Sequence, residues 1–337
     1  MNLENVPEPV YKHGLKIRLT PEINYKDIDS TNATKVETDV EFSKEGNYQE
    51  FLFDDKDKQY YSDNIHADKY YLTIPADEAK SLTITTTSVS PGRTAIYVTA
   101  KPNSKSEIIL INKGSATYDA TSLHIIAEEG SYVKIILVQG YESQTHSFKH
   151  TGAKIKKDAT VEWVAALTGS KYTHASFTNI LQEPGAKGTS TVLYLATDNE
   201  QYDIDTRSIH KNKETYSNIL TRGAVNNNAK ALSRGWVRIE KNAFNSNGYE
   251  KQDALILSKT AEADAIPNLE IHNHDVKCSH GSTIGQVDEL QLFYLMSRGI
   301  SREDAINTII KGFFNPILTQ LDEKTQDFLN KNISYGL

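Results

Sequence analysis

From about Lys80 to about Asn273 the chain is written in short runs rich in Thr, Val, Ile and Tyr, separated by Gly, Asn, Asp, Ser or Lys. Many of these runs alternate apolar with polar positions, as in Tyr132-Val133-Lys134-Ile135-Ile136-Leu137-Val138, which is the period of two that a strand imposes on its side chains. Strands are expected at Ser81–Val89, Thr94–Thr99, Glu107–Ile111, Ser122–Ala127, Tyr132–Val138, Val161–Leu167, Thr191–Ala196, Tyr216–Thr221, Trp236–Ile239 and Ala254–Leu257. Turn signals such as Glu128-Glu129-Gly130, Lys156-Lys157-Asp158 and Asn226-Asn227-Asn228 punctuate them without a strict period. A sandwich, a barrel or a solenoid could produce this pattern. A sandwich closes within about 100 residues, whereas a solenoid adds coils without limit, so one uninterrupted strand-rich stretch favours the solenoid. The reading is a mainly β fold, with a parallel β-helix over residues 79–275.

The flanks differ. Residues 1–78 are mixed and charged and read as an irregular entry region, in which Tyr60, Tyr61, Tyr70 and Tyr71 are expected to pack across an edge. Residues 276–337 read as a small helical domain. Asp288 to Ser297 carries Leu290, Leu292, Phe293, Leu295 and Met296 on a helical stripe that stops at Gly299. Ser301-Arg302-Glu303-Asp304 opens a second helix whose apolar face ends where Pro316 is expected to break it. A third amphipathic run covers Ile317 to about Ile333. Such short helices need something to pack on.

Charge and cysteine content narrow the chemistry. The 337 residues hold 37 Lys and Arg against 44 Asp and Glu, a formal charge of −7, so neither nucleic acid nor an anionic membrane is an expected partner. One cysteine, Cys278, permits no intrachain disulfide and no Cys-rich zinc site. The N-terminal segment lacks the basic start and apolar centre of a signal peptide, and no apolar run reaches the ~18 residues of a membrane span, so a cytoplasmic protein is expected.

Catalytic motifs fail on inspection. Gly185-Ala186-Lys187-Gly188-Thr189 has the wrong order for a phosphate loop, which needs Lys directly before Ser or Thr at the start of a helix. No Gly-x-Ser-x-Gly elbow occurs, and the many acids give no positive sign of a glycosidase pair. A β-helix carbohydrate-active enzyme is a remote alternative resting on fold analogy alone. No enzymatic activity is expected, and Trp163 and Trp236 read as fillers.

One segment concentrates ligands: His272-Asn273-His274-Asp275-Val276-Lys277-Cys278-Ser279-His280-Gly281. If it is extended, Cys278 and His280 share a face, as do His272 and His274. Thiolate and imidazole suit iron or zinc, but one thiol falls short of the four that a cluster normally takes. Either another polypeptide completes the set, or these are polar surface residues with Cys278 as a small buried hydrophobe.

Here the chain resembles a known family. Pro267-Asn268-Leu269-Glu270-Ile271, Asp275-Val276-Lys277-Cys278-Ser279-His280-Gly281 and Gln291-Leu292-Phe293-Tyr294-Leu295-Met296-Ser297-Arg298-Gly299-Ile300 are similar, in order and spacing, to the C-terminal signature of the SufB/SufD family of iron–sulfur cluster assembly proteins. The likeness is dense over about Ala254 to Phe314 and looser back to about Lys80. It implies a right-handed parallel β-helix with a helical C-terminal domain, pairing with a SufB-type paralogue and docking a SufC-type ATPase that supplies the energy. Gln252 stands where SufB carries a functional cysteine, and Gly281 where SufB carries a glutamate, so the resemblance leans to SufD. In SufD the residues matching Cys278 and His280 lie at the SufB interface and are implicated in iron acquisition. The expectation is therefore a scaffold with no stably bound cofactor and transient iron or a nascent cluster at Cys278 and His280. Tyr294, Arg298 and Gly299 match the helix signature and are the expected ATPase-docking positions, or else they pack and end the first helix. His272 and His274 lie outside the pattern. A SufB-like homodimeric carrier is the alternative.

Overall fold

The computed structural model describes residues 34–51 and 67–319, together with 323, 326 and 327. Among them seventeen strands fall into two sheets. The odd strands are β1 (Thr34–Thr38), β3 (Ala79–Ser88), β5 (Lys105–Gly114), β7 (Tyr132–Tyr141), β9 (Thr160–Gly169), β11 (Lys187–Ala196), β13 (Tyr216–Val225), β15 (Ser246–Ile256) and β17 (Val276–Gln286). The even strands are β2 (Asp68–Ile74), β4 (Gly92–Ala100), β6 (Tyr118–Ala127), β8 (His146–Ile155), β10 (Tyr172–Leu181), β12 (Gln201–His210), β14 (Lys230–Ile239) and β16 (Glu262–Ile271). The chain passes from one sheet to the other at every strand, and from β4 onward each strand pairs in parallel with the strand two before it. The result is a parallel β-solenoid of about eight turns.

Register explains the interior. Leu82, Ile108, Ile135 and Trp163 stack as one ladder of inward side chains from β3 to β9. On the even sheet Val98, Ile125 and Ala153 do the same. Trp163 donates its Nε1–H to Asn179 Oδ1 at 3.0 Å and is a core filler. Trp236 faces outward, with the Arg207 guanidinium above its ring. The lumen is not purely apolar, because Lys149 and Asp119 form a fully buried pair at 3.0 Å. Tyr141 and Ser88 donate to the same carboxylate.

Strands lie on both sides of the boundaries expected at 78/79 and 275/276: β2 precedes the first, and β17 follows the second as the last strand of the odd sheet. At the start, β1 runs antiparallel to β3, and Ser43 bridges Tyr71 of β2. Tyr70 stacks edge-on with Phe42, and Tyr71 stacks on Tyr97, while Tyr60 and Tyr61 lie outside the described residues.

Two helices follow the solenoid, α1 (Glu289–Ser297) and α2 (Arg302–Leu318). Asp288 caps α1 by accepting from Leu290 N–H at 2.9 Å. Ser301 caps α2, taking the Asp304 N–H and donating to its carboxylate. The second helix does not stop at Pro316, as the sequence suggested, but continues to Leu318. Proline there removes one bond near the helix end, while Phe314 and Leu318 bury their side chains against the odd sheet, each worth about 1.5–3 kcal/mol. The third expected helix lies mostly outside the described residues. Among the described residues, no helix is long and apolar enough to cross a membrane.

Candidate functional site

The ligand-rich segment lies at the open end of the solenoid. Among the described residues β17 pairs with β15 on one side and with no strand on the other, and β16 is likewise the last strand of the even sheet. An unpaired strand edge offers its N–H and C=O groups to another chain. Cys278 and His280 occupy alternate positions of β17 and so share its inward face, in register with Gly248 and Glu250 of β15. Cys278 is half-buried beside Val237, Ile239 and Leu269. His280 is exposed and makes no hydrogen bond or ion pair among the described residues. The pair is thus not sealed inside the subunit.

Burial, with the nearby Glu250 carboxylate adding to it, pushes the Cys278 thiol up to about 11, so the free chain holds it as the thiol. Behind it, His210 is buried, with Nδ1 against Thr215 Oγ1 and Nε2 against Ser217 Oγ, both at 2.8 Å. Desolvation pulls that imidazole down to about 3, leaving it neutral. A Cβ at Gly248 would lie 3.4 Å from Cys278 Sγ, 3.5 Å from His210 Nε2 and 2.7 Å from Val237, so only glycine lets these side chains close over the strand. His272 and His274 do not join the set. Both are exposed in the link between β16 and β17, and His272 Nε2 is 2.7 Å from Glu270 Oε1. Among the described residues no group of three or more His, Cys, Asp or Glu side chains is gathered to hold a metal ion.

The helical signature forms a second locality. The Tyr294 ring is 58% exposed rather than packed between the helices, and with Leu290, Gln291, Leu295 and Ile309 it lines a hollow of about 410 Å³. Arg298 and Gly299 end α1: the N–H of Arg298 bonds Leu295 O, and Gly299 takes φ +86°, a left-handed conformation suited to glycine, with its N–H on Met296 O. The Arg298 guanidinium also sits 5.3 Å from the Tyr294 ring centroid. Leu290 and Phe293 stand further out, at 77% and 70% exposure.

The family described as "SUF system FeS cluster assembly, SufBD core domain" matches residues 83–313, more than half of the chain and all but the first coil of the solenoid. This chain belongs to the SufBD family. Among its relatives is a Staphylococcus epidermidis protein described as an iron–sulfur cluster assembly SufBD family protein, 29% identical over 225 residues. Another is the iron–sulfur cluster assembly protein SufB of Bacillus subtilis, 30% identical over 225 residues. Each match covers 65% of this chain but 48% of the relative, so the SufBD chain spans about half the length of the curated relatives it matches. Both the general and the SufB description occur among them, and the comparisons do not separate a SufD from a SufB role.

Within this SufBD chain, the sequence pointed to Cys278 and His280 but not to the residues beneath them. Gln252, placed where SufB has its cysteine, is fully buried; its Oε1 accepts from Ser233 Oγ, and its Nε2 donates to Glu250 Oε1 at 2.5 Å. Glu250 is wholly buried, and that burial lifts its carboxyl to about 7. Nothing in Tyr249-Glu250-Lys251-Gln252 marks an interior position. Only the β15–β17 register, which sets Glu250 beside His280, reveals it.

Proposed function

We propose that the chain is a SufD-like scaffold subunit of a SUF iron–sulfur assembly complex, joining a SufB-type subunit through its open solenoid end and offering Cys278 and His280 to iron at that seam. The observation that carries this reading is the placement of both residues on the inward face of an unpaired terminal strand, one half-buried and one exposed. A thiol and an imidazole are too few to build a cluster, so a second polypeptide completes the ligand set. Iron and sulfide are cargo here and not a resident cofactor, and the chain performs no catalysis of its own. The apolar hollow around Tyr294 docks a SufC-type ATPase, whose nucleotide chemistry supplies the work. The protein acts in the cytoplasm.

Co-purification from the native host tests this. A SufB-type and a SufC-type chain should be recovered, and Tyr294→Ala together with Phe293→Ala should lose the ATPase while keeping the SufB-type chain. Recovery of neither would overturn the reading.

A second reading, a SufB-like carrier that pairs with itself, is favoured by the 30% identity to the Bacillus subtilis SufB. Anaerobic reconstitution of the isolated chain with iron and sulfide separates the two. A stable chromophore that disappears in Cys278→Ser supports the self-sufficient carrier, and its absence supports the scaffold.

A further inference from the structure

One coil beneath the open end, Glu250 lies in the lumen with Oε1 held by Gln252 and with no side-chain partner for Oε2 among the described residues. Its side chain is completely shielded from solvent. A carboxylate oxygen buried without a partner is expensive, normally several kcal/mol if the group is charged. The fold also makes room for this group. Across the lumen β14 carries Gly235, where a Cβ would fall 1.5 Å from Glu250 Oε1 and 2.3 Å from its Cδ. The backbone N–H of Asn268, in β16, lies against the carboxylate as well. Three successive strands, β14, β15 and β16, therefore meet at it.

The neighbours of Glu250 on the open side are decided by register. His280 is its partner in the ladder, and Cys278 and Ser282 flank His280 on the same inward face. Cys278 is close enough for the charge of Glu250 to act on its thiol. A thiol, an imidazole and a carboxylate thus occupy neighbouring register positions on the last two odd strands, and among the described residues no further strand covers them. A cation would answer Oε2. We propose that Glu250 is a third donor for the iron cargo, binding with Cys278 Sγ and an imidazole nitrogen of His280 when His280 turns inward.

This rests on the reading of Cys278 and His280 as the iron-accepting pair and adds a ligand to it. The mixed donor set suits divalent iron, which is borderline in softness. No electron is transferred: as the Sγ–metal bond forms, the Cys278 proton leaves to water, and the metal ion sheds bound water for each protein donor. The charge count also fits, because a thiolate and a carboxylate together offset a divalent ion. No hydrogen bond among the described residues holds the exposed His280 side chain back from that turn.

Cobalt(II), an air-stable stand-in for iron(II), tests the assignment on the purified full chain. The wild type should show a thiolate-to-cobalt charge-transfer band that is lost in Cys278→Ser. Glu250→Gln keeps the shape of the side chain, and the band should persist with affinity at least tenfold weaker. Unchanged affinity in Glu250→Gln, with the band still lost in Cys278→Ser, overturns the role of Glu250 while leaving the Cys278–His280 reading intact. No band in the wild type, or one indifferent to Cys278→Ser, removes that reading and this inference together. Circular dichroism checks the fold of each variant. Should Glu250→Gln not fold, Glu250→Asp withdraws the charge by one methylene, and the same two affinity outcomes decide.

Discussion

Buried charge is where single residues matter most in this molecule. Glu250 is raised by burial from an ordinary carboxylate value to about 7, so the folded chain binds its proton more tightly than the unfolded chain does. The sign follows: its contribution is favourable below about pH 4.5 and is lost as pH rises toward 7. Between pH 5 and 8 that loss amounts to roughly 2 kcal/mol. Glu250→Gln should flatten this part of the profile, read as urea midpoints at pH 5 and pH 8; an equal fall in both proteins would contradict it. Lys149 presents the opposite case. Its ammonium and Asp119 are both fully buried, and coulombic attraction to Lys149, with bonds from Ser88 and Tyr141, overcomes desolvation to hold the carboxylate below its usual value. Lys149→Met leaves that charge stranded and should cost about 3–5 kcal/mol, measurable by the same titration. Neither residue was legible in the sequence. Lys149 sits in His146-Ser147-Phe148-Lys149-His150, which is not among the strands expected from the sequence, and only register sets it one coil above Asp119 and its ring of hydroxyl donors.

Individual elements were legible in proportion to how much apolar area their alternation carried. β7 and β9, with Ile, Leu, Val and Ala at both sets of positions, were evident. β8, β10 and β12 were not, because their inward positions include Lys149, Thr173, Asn179, Thr206 and His210, satisfied by hydrogen bonds across the lumen or to a neighbouring coil rather than by composition. The corners follow a rule that local patterning only hints at. Asp77, Asn103, Gly130, Asp158, Gly185, Glu214 and Asn245 all take positive φ, and each donates its N–H to a carbonyl of the next coil. Six of the seven are residue types that tolerate the left-handed region; Glu214, at φ 59°, is the exception. Glu214→Gly should therefore stabilise the protein by about 0.5–1 kcal/mol, seen as a higher urea midpoint, whereas an unchanged or lower midpoint would show that the side chain itself contributes.

At the scale of the whole molecule, the strand-then-helix order was readable, and so was the leaning to a solenoid, because stacking coils accommodate so long an uninterrupted strand texture where one sandwich does not. How the helices attach was not. α2 lies on the outward face of the odd sheet, burying Ala305, Ile306, Ile310 and Phe314 against side chains such as Val164, Leu193 and Ala224. Arg222 of β13 fastens it, donating from one guanidinium nitrogen to Phe313 O at 2.6 Å and from another to Asp253 at 3.0 Å, with the guanidinium 4.8 Å from the Phe313 ring centroid. Arg222→Ala should speed hydrogen exchange in α2 at least several-fold while leaving the amides of β5 to β9 protected; uniform acceleration would mean instead that the helix and the solenoid open as one unit.

The antiparallel strand laid over the first odd coil finishes that extremity, since a further copy could not extend the parallel ladder past it. Past β16 and β17, by contrast, no further strand covers the parallel ladders among the described residues, so backbone pairing from another chain can continue them there.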